Sequence, residues 1–243
     1  MIKIIKNIIS IFIIACLLFY FIPFSFVKTT SFYNNPSEKL WKHRFLDPVK
    51  DSVLIKEFVG FEVDVFFNKS TNNFDVKHHG KESNYTLTSY FQKFENIKDK
   101  FFWIDFKNLN SENYKESSQK LSDICNQYKI KDRIFIESKN MMLLNSFQGL
   151  GFSVSYWVPN YHFFGSVISS FKVRNNIIKY NPKALSCDFH SLHFYTKKFP
   201  NYNIYCWANE MRNEKDKARI LEISKNENIK IILTDFEENF LSK

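Results

Sequence analysis

The sequence predicts an α/β protein, a (β/α)8 TIM barrel preceded by one N-terminal transmembrane helix. Three observations predict it. Eight short apolar or alternating runs take turns with longer amphipathic runs. A nearly unbroken apolar stretch opens the chain. Neither GxGxxG nor GxxxxGK[ST] occurs, so the nucleotide-binding open sheets, the other home for such an alternation, lose their usual support.

The opening stretch runs from Ile8 to Val27, interrupted only by Ser10, Pro23 and Ser25. As a helix it would reach about 30 Å, the thickness of a hydrocarbon core. Lys3 and Lys6 precede it, and residues 1–27 contain no acid. This pattern predicts a signal anchor over 1–27, a cytoplasmic N-terminus, and a single-pass membrane protein whose barrel lies on the periplasmic or extracellular side. A cleaved secretory signal is the competing reading; the length of the run and the lack of a small-x-small cleavage site favour the anchor. Residues 28–38 (KTTSFYNNPSE) read as a polar stalk, and 39–243 as the barrel.

Within 39–243 the strands are expected at Leu40–Arg44, Phe61–Phe67, Phe101–Phe106, Ile134–Glu137, Ser153–Val158, Ala184–Ser186, Ile204–Trp207 and Lys230–Leu233. A further run, Phe74–His78, follows the second strand closely enough to be its extension. Helices are expected between them, at Val49–Phe58, Leu87–Phe94, Glu112–Tyr128, Met141–Leu150, Phe164–Lys179, Phe189–Lys198 and Glu214–Lys225. Ser111 reads as the N-cap of the third of these, and Gly149 and Gly151 as the exit from the fourth.

Composition narrows the function class. Hydrophobic residues make up 44% of the 243, with 28 Phe but only 5 Gly and 6 Pro, which excludes disordered and collagen-like chains. Beyond the anchor only Cys125, Cys187 and Cys206 remain, an odd number without CxxC spacing, which argues against zinc and a disulfide framework. The net charge of +9 comes without a nucleic-acid-binding motif or a basic stripe, so no nucleic-acid partner is expected.

Charge on barrel strands is costly unless it is paired or bound to metal. The first strand nevertheless ends in His43-Arg44, and the second places Glu62 and Asp64 two apart, on one face. His78 follows Val76 by two, with His79 as the alternative inward-pointing imidazole, and the third strand carries Asp105 and Lys107 on one face. The C-terminal strand ends of such a barrel form its active-site face. Glu62, Asp64 and Asp105 are hard oxygen ligands suited to Mg²⁺ or Ca²⁺. His43 and His78 have the pKa range of a general base and a general acid, and Arg44 and Lys107 could hold phosphate oxygens. Together these residue types describe metal-assisted cleavage of a phosphodiester. Trp103 and Trp157 read as packing residues.

The order HR, ExD, H, DxK on successive strands resembles the glycerophosphodiester phosphodiesterase-like members of the phospholipase C-like phosphodiesterase superfamily. The resemblance runs from Trp41 to Asp235. It is carried by His43-Arg44, Glu62-Val63-Asp64-Val65, Val76-Lys77-His78, Asp105-Phe106-Lys107, Trp207 and the closing Leu233-Thr234-Asp235. Asp105 stands where that family usually has Glu; the related sphingomyelinase D enzymes have DxK there. The resemblance implies a phosphoric diester hydrolase with His43 and His78 as its acid/base pair and Glu62, Asp64 and Asp105 as ligands of Mg²⁺ or Ca²⁺. Arg44 and Lys107 would then contact phosphate, and Trp207 would line the substrate site. Phe45 replaces the usual Gly, Leu46-Asp47-Pro48 replaces an ENT-type segment, and His79 replaces the Asp after the catalytic His. The expected function is thus a membrane-tethered, divalent-metal-dependent hydrolase of a lipid-derived or glycan-linked phosphodiester. The departures motivate an alternative, a catalytically weak barrel that binds a phosphorylated glycan or lipid head group.

Overall fold

In a computed structural model, the structure describes residues 2–29, 38–80, 85–162, 165–209, 211 and 213–241. The chain opens with α1 (Ile2–Phe21), then β1 (Leu40–Lys42), α2 (Leu54–Glu57) and β2 (Gly60–Asn68). Next come β3 (Asn73–Val76), β4 (Tyr85–Thr86), α3 (Leu87–Phe91), β5 (Phe101–Phe106) and α4 (Tyr114–Tyr128). The second half alternates strictly: β6 (Ile134–Ser138), α5 (Met141–Gly149), β7 (Ser153–Trp157), α6 (Gly165–Tyr180), β8 (Ala184–Asp188), α7 (Phe189–Lys198), β9 (Ile204–Ala208), α8 (Glu214–Ser224) and β10 (Ile229–Thr234).

Strands β1, β10, β9, β8, β7, β6, β5 and β2 follow one another in parallel, and the pairing of Lys42 with Phe61 joins β1 to β2 and closes the ring. The expected eight-stranded barrel is therefore present. Period-two alternation sorts its side chains. On β2 and β5, Phe61, Val63, Val65, Phe102, Ile104 and Phe106 pack outward into the main core. Inward-facing residues form a second cluster that includes Trp41, Phe101, Trp103, Phe135, Tyr205 and Ile231. These rings plug the lower part of the barrel, so charge can collect only above them. Gly60, at the base of β2, makes room for this plug: a Cβ there would lie 2.1 Å from the Trp41 indole.

Three local expectations change. Phe74–His78 does not extend the second strand but folds back on it, Val65 opposite Val76 and Asn68 opposite Asn73, with β4 added to its edge. Asn72 at φ 45° makes the reversal, a conformation Asn tolerates better than most side chains. The helix expected at Val49–Phe58 shortens to α2, because the Asp47 carboxylate accepts from the backbone N–H of Val49 (3.2 Å) and Lys50 (3.1 Å) and holds the preceding residues in turns. The N-cap of α4 is Asn113, not Ser111: Asn110 Oδ1 accepts from Glu112 N–H at 2.8 Å and keeps that stretch in a turn.

The N-terminal expectation is corrected. Among the described residues no helix is long and apolar enough to cross a membrane. The helix ends at Phe21 rather than Val27, so its apolar part from Ile8 onward rises only about 21 Å. The residues that follow turn onto the barrel. Phe24 is buried against Phe171 and Phe199, at 5.7 and 5.4 Å between ring centroids, and its N–H donates to Lys198 O at 2.7 Å. Lys198 Nζ donates to Ile22 O (2.8 Å), and Val27 is buried as well. A single-pass anchor, a membrane partner through this helix, and a barrel placed beyond a membrane therefore lose their support. Most of the expected stalk, 30–37, lies outside the described residues.

Candidate active site

The strand registers assemble the site. Asp64 lies beside Asp105, Asp105 beside Glu137, and Glu137 beside Ser155, so four adjacent strands present polar groups at one level inside the barrel. Oxygens of Glu62, Asp64 and Asp105 all lie within 4.8 Å of one another, and all three side chains are buried. The Glu62 carboxylate is fixed from outside the trio, accepting from Arg44 N–H at 2.7 Å. Lys107 Nζ lies 2.6 Å from Asp64 Oδ1 and also donates to Asp105 Oδ2.

The electrostatics follow from burying like charges together. Burial first, then the charges of Asp64 and Asp105, push the Glu62 carboxyl well above the usual carboxylate range. Asp105 is raised to about 6, by burial against the opposing pull of Lys107 and with a further rise from Asp64. The Lys107 ammonium is held above its ordinary value by the carboxylates, which outweigh its own burial. Among the described residues, Asp64 Oδ2 is buried without a hydrogen-bond partner. Three mutually repelling carboxylates with one such oxygen fit a hard divalent cation, which would relieve the repulsion and take the oxygen as a ligand.

His43 is also buried, and its Nδ1–H donates to Asp235 Oδ1 at 2.9 Å, which leaves Nε2 to exchange a proton. Burial holds the imidazole below its usual pKa range, although Asp235 acts in the opposite direction. Arg44, exposed and left-handed at φ 50°, turns the chain as it leaves β1.

Two cavities border the trio. The smaller, about 140 Å³, is lined by His43, Arg44, Glu62, Asp105 and Lys107, with Trp157 and Trp207 forming a T-shaped pair at 5.1 Å as its wall. The larger, about 570 Å³, shares Asp105, Lys107 and Trp157 with the first and is lined by His78, His79 and Lys139. Of the residues expected at the site, the structure therefore brings His43, Arg44, Glu62, Asp105, Lys107 and Trp207 to one cavity, with Asp64 beneath. His78, half-buried, borders the second cavity instead, as does the exposed His79.

Sequence reasoning missed Glu137, Lys139, Trp157 and the pairing of Asp235 with His43. Glu137 is buried at the barrel centre, its Oε2 unpaired among the described residues; burial and the Asp105 charge push its carboxyl well upward, with Ser186 and Trp103 close enough to moderate the shift. Lys139 Nζ stands 4.0 Å above the Trp157 ring, so that Trp157, expected to be a packing residue, walls both cavities. The available signal was a Glu ending a buried strand two residues before a Lys.

No protein-family model matches the chain, and no curated protein matches it. Solved structures do. A glycerophosphodiester phosphodiesterase from Parabacteroides distasonis superposes with a TM-score of 0.60 at 14% identity, covering 83% of this chain and 94% of that one. An Oleispira antarctica phosphodiesterase, solved in complex with the product sn-glycerol-3-phosphate, gives 0.61 at 12% identity, over 84% and 95%. A calcium-dependent phosphoinositol-specific phospholipase C from Pseudomonas gives 0.57 at 9%, over 91% and 95%. With its closed parallel barrel and these likenesses, the chain has the fold of the glycerophosphodiester phosphodiesterases.

Proposed function

We propose that the protein is a phosphoric diester hydrolase that cleaves glycerophosphodiester-type substrates, lipid-derived or glycan-linked, with a divalent cation. The observation that carries this reading is the buried trio Glu62, Asp64 and Asp105 beside the His43–Asp235 pair, at the C-terminal mouth of this barrel. The trio would hold Mg²⁺ or Ca²⁺, which supplies charge neutralisation at the phosphoryl oxygens. Arg44, at the rim of the smaller cavity, and Lys107 would bind and orient the phosphate. His43, held by Asp235, takes or gives a proton at Nε2, and His78 serves the ester arm on the side of the larger cavity. The two imidazoles thus lie in different cavities that meet at Asp105 and Lys107, which suits proton transfer on opposite sides of one phosphorus. Trp157 and Trp207 form one wall of the smaller cavity.

A second reading, binding without turnover, draws on Lys107, whose ammonium already neutralises Asp64 and Asp105. The two separate in an assay of the full chain on glycerophosphodiesters and bis(p-nitrophenyl) phosphate, with EDTA or with added Mg²⁺ or Ca²⁺. Hydrolysis restored by one of the cations, and lost in Glu62→Gln and His43→Ala, supports the hydrolase. Tight binding with no hydrolysis under any cation supports the second reading.

A further inference from the structure

Apart from His78, the larger cavity has a composition that the chemistry at phosphorus does not require. Its described lining sets Lys107, Lys139, His78 and His79 among the apolar Phe66, Phe106, Leu109 and Trp157, and Asp105, already engaged by Lys107, is the one acid that the described lining contains. No carboxylate among the described residues pairs with Lys139. The cavity also receives the start of α5, whose N-cap Asn140 is part of the lining, so the positive end of a nine-residue helix lies at its rim. At about 570 Å³ it is far larger than the 140 Å³ space beside it, and the two meet at Asp105, Lys107 and Trp157. A diester seated over the trio would therefore send its bulkier arm into the larger space.

Resting on the phosphodiesterase reading, we infer that this cavity is a subsite for the substrate's second arm and that it takes an arm carrying a further phosphate. A choline-type arm is the obvious competitor, because Trp157 offers an aromatic face. Lys139 Nζ already covers that face at 4.0 Å, and a second cation there would meet it with like charge. A neutral glycerol arm would fit but leave the basic lining unused. An anionic arm uses Lys139, the two imidazoles and the helix end together.

The test is binding of phosphonate analogues, which cannot be hydrolysed, to the full chain with Ca²⁺ or Mg²⁺ present, read by tryptophan fluorescence. Three analogues differ only in the arm: terminal phosphate, glycerol, and choline. The phosphate-arm analogue should bind about tenfold more tightly than the choline-arm analogue. Lys139→Glu, at an exposed position, should abolish or reverse that preference. Equal or tighter binding of the choline arm, or a preference unchanged in Lys139→Glu, overturns the inference. Hydrolysis of the parent diesters is measured separately: its absence counts against the phosphodiesterase reading, while the affinity ratio still decides which arm the cavity takes.

Discussion

His43 Nδ1 and Asp235 Oδ1 lie 2.9 Å apart, joining the end of β1 to the residue that follows β10. The register that pairs Lys42 with Thr234 creates this contact, and His43 N–H donates to Thr234 O at 2.9 Å beside it. The barrel's closing strands thus fix both the position and the tautomer of an imidazole at the mouth.

Asp235→Asn should preserve the fold and lower kcat by roughly 10²-fold, within the range that acid–base catalysis contributes. Because Asp235 opposes the downward shift of the His43 pKa, its loss should move the acid limb of the kcat/KM profile to lower pH. A steady-state pH profile checks both effects. A uniform loss of activity with no movement of the limb would mean that Asp235 does not act through His43.

Asp105 predicts a pH effect with a definite sign. Its folded-state pKa of about 6 lies above the ordinary 3.8, so the folded form keeps a proton that the unfolded chain releases. Its contribution is fully favourable below pH 4 and is lost as the pH rises toward 6. Asp105→Asn lacks this cost. Thermal melts in EDTA should therefore show the Tm of Asp105→Asn gaining on wild type between pH 4 and 6.5, and a saturating divalent cation should cancel the gain.

Phe24→Ala tests the packing of the N-terminal segment on the barrel. Phe24 is 5% exposed and contacts Phe171, Phe199 and the Lys198 ammonium. Truncating it should cost about 3 kcal/mol and lower Tm by roughly 6–12 °C in calorimetry. A variant within 2 °C of wild type would place this segment off the fold.

Gly60→Ala should cost about 3 kcal/mol, because its Cβ would fall 2.1 Å from the fully buried Trp41 ring at the barrel floor. Urea denaturation reads the loss. Trp41→Phe combined with Gly60→Ala should recover part of it, because the smaller ring makes room.

Much of the fold was legible because barrel strands are short buried runs between amphipathic helices. Phe101–Phe106 and Phe189–Lys198 fall at their expected bounds. The β3 reversal was not legible, because an Asn-Asn turn lacks the glycine that usually marks a hairpin. Alternation along each strand grouped Glu62 with Asp64 and Asp105 with Lys107. The neighbours across strands depend on register: Asp105 beside Glu137, and His43 against Asp235, are set by barrel closure and not by local pattern. The N-terminal expectation went wrong because hydropathy counts Phe24 and Val27 as lipid-facing, whereas their partners here are Phe171, Phe199 and the barrel core.

Calorimetric titration of EDTA-stripped protein with Ca²⁺ and with Mg²⁺, comparing wild type with Glu62→Gln, tests the carboxylate trio as a cation site. Glutamine keeps an oxygen for the Arg44 N–H but removes the charge from the trio. One ion should bind per wild-type chain, with proton release below pH 6, and the affinity should be at least tenfold weaker in a folded Glu62→Gln. Equal binding in the two proteins, or no binding in wild type, would contradict that assignment.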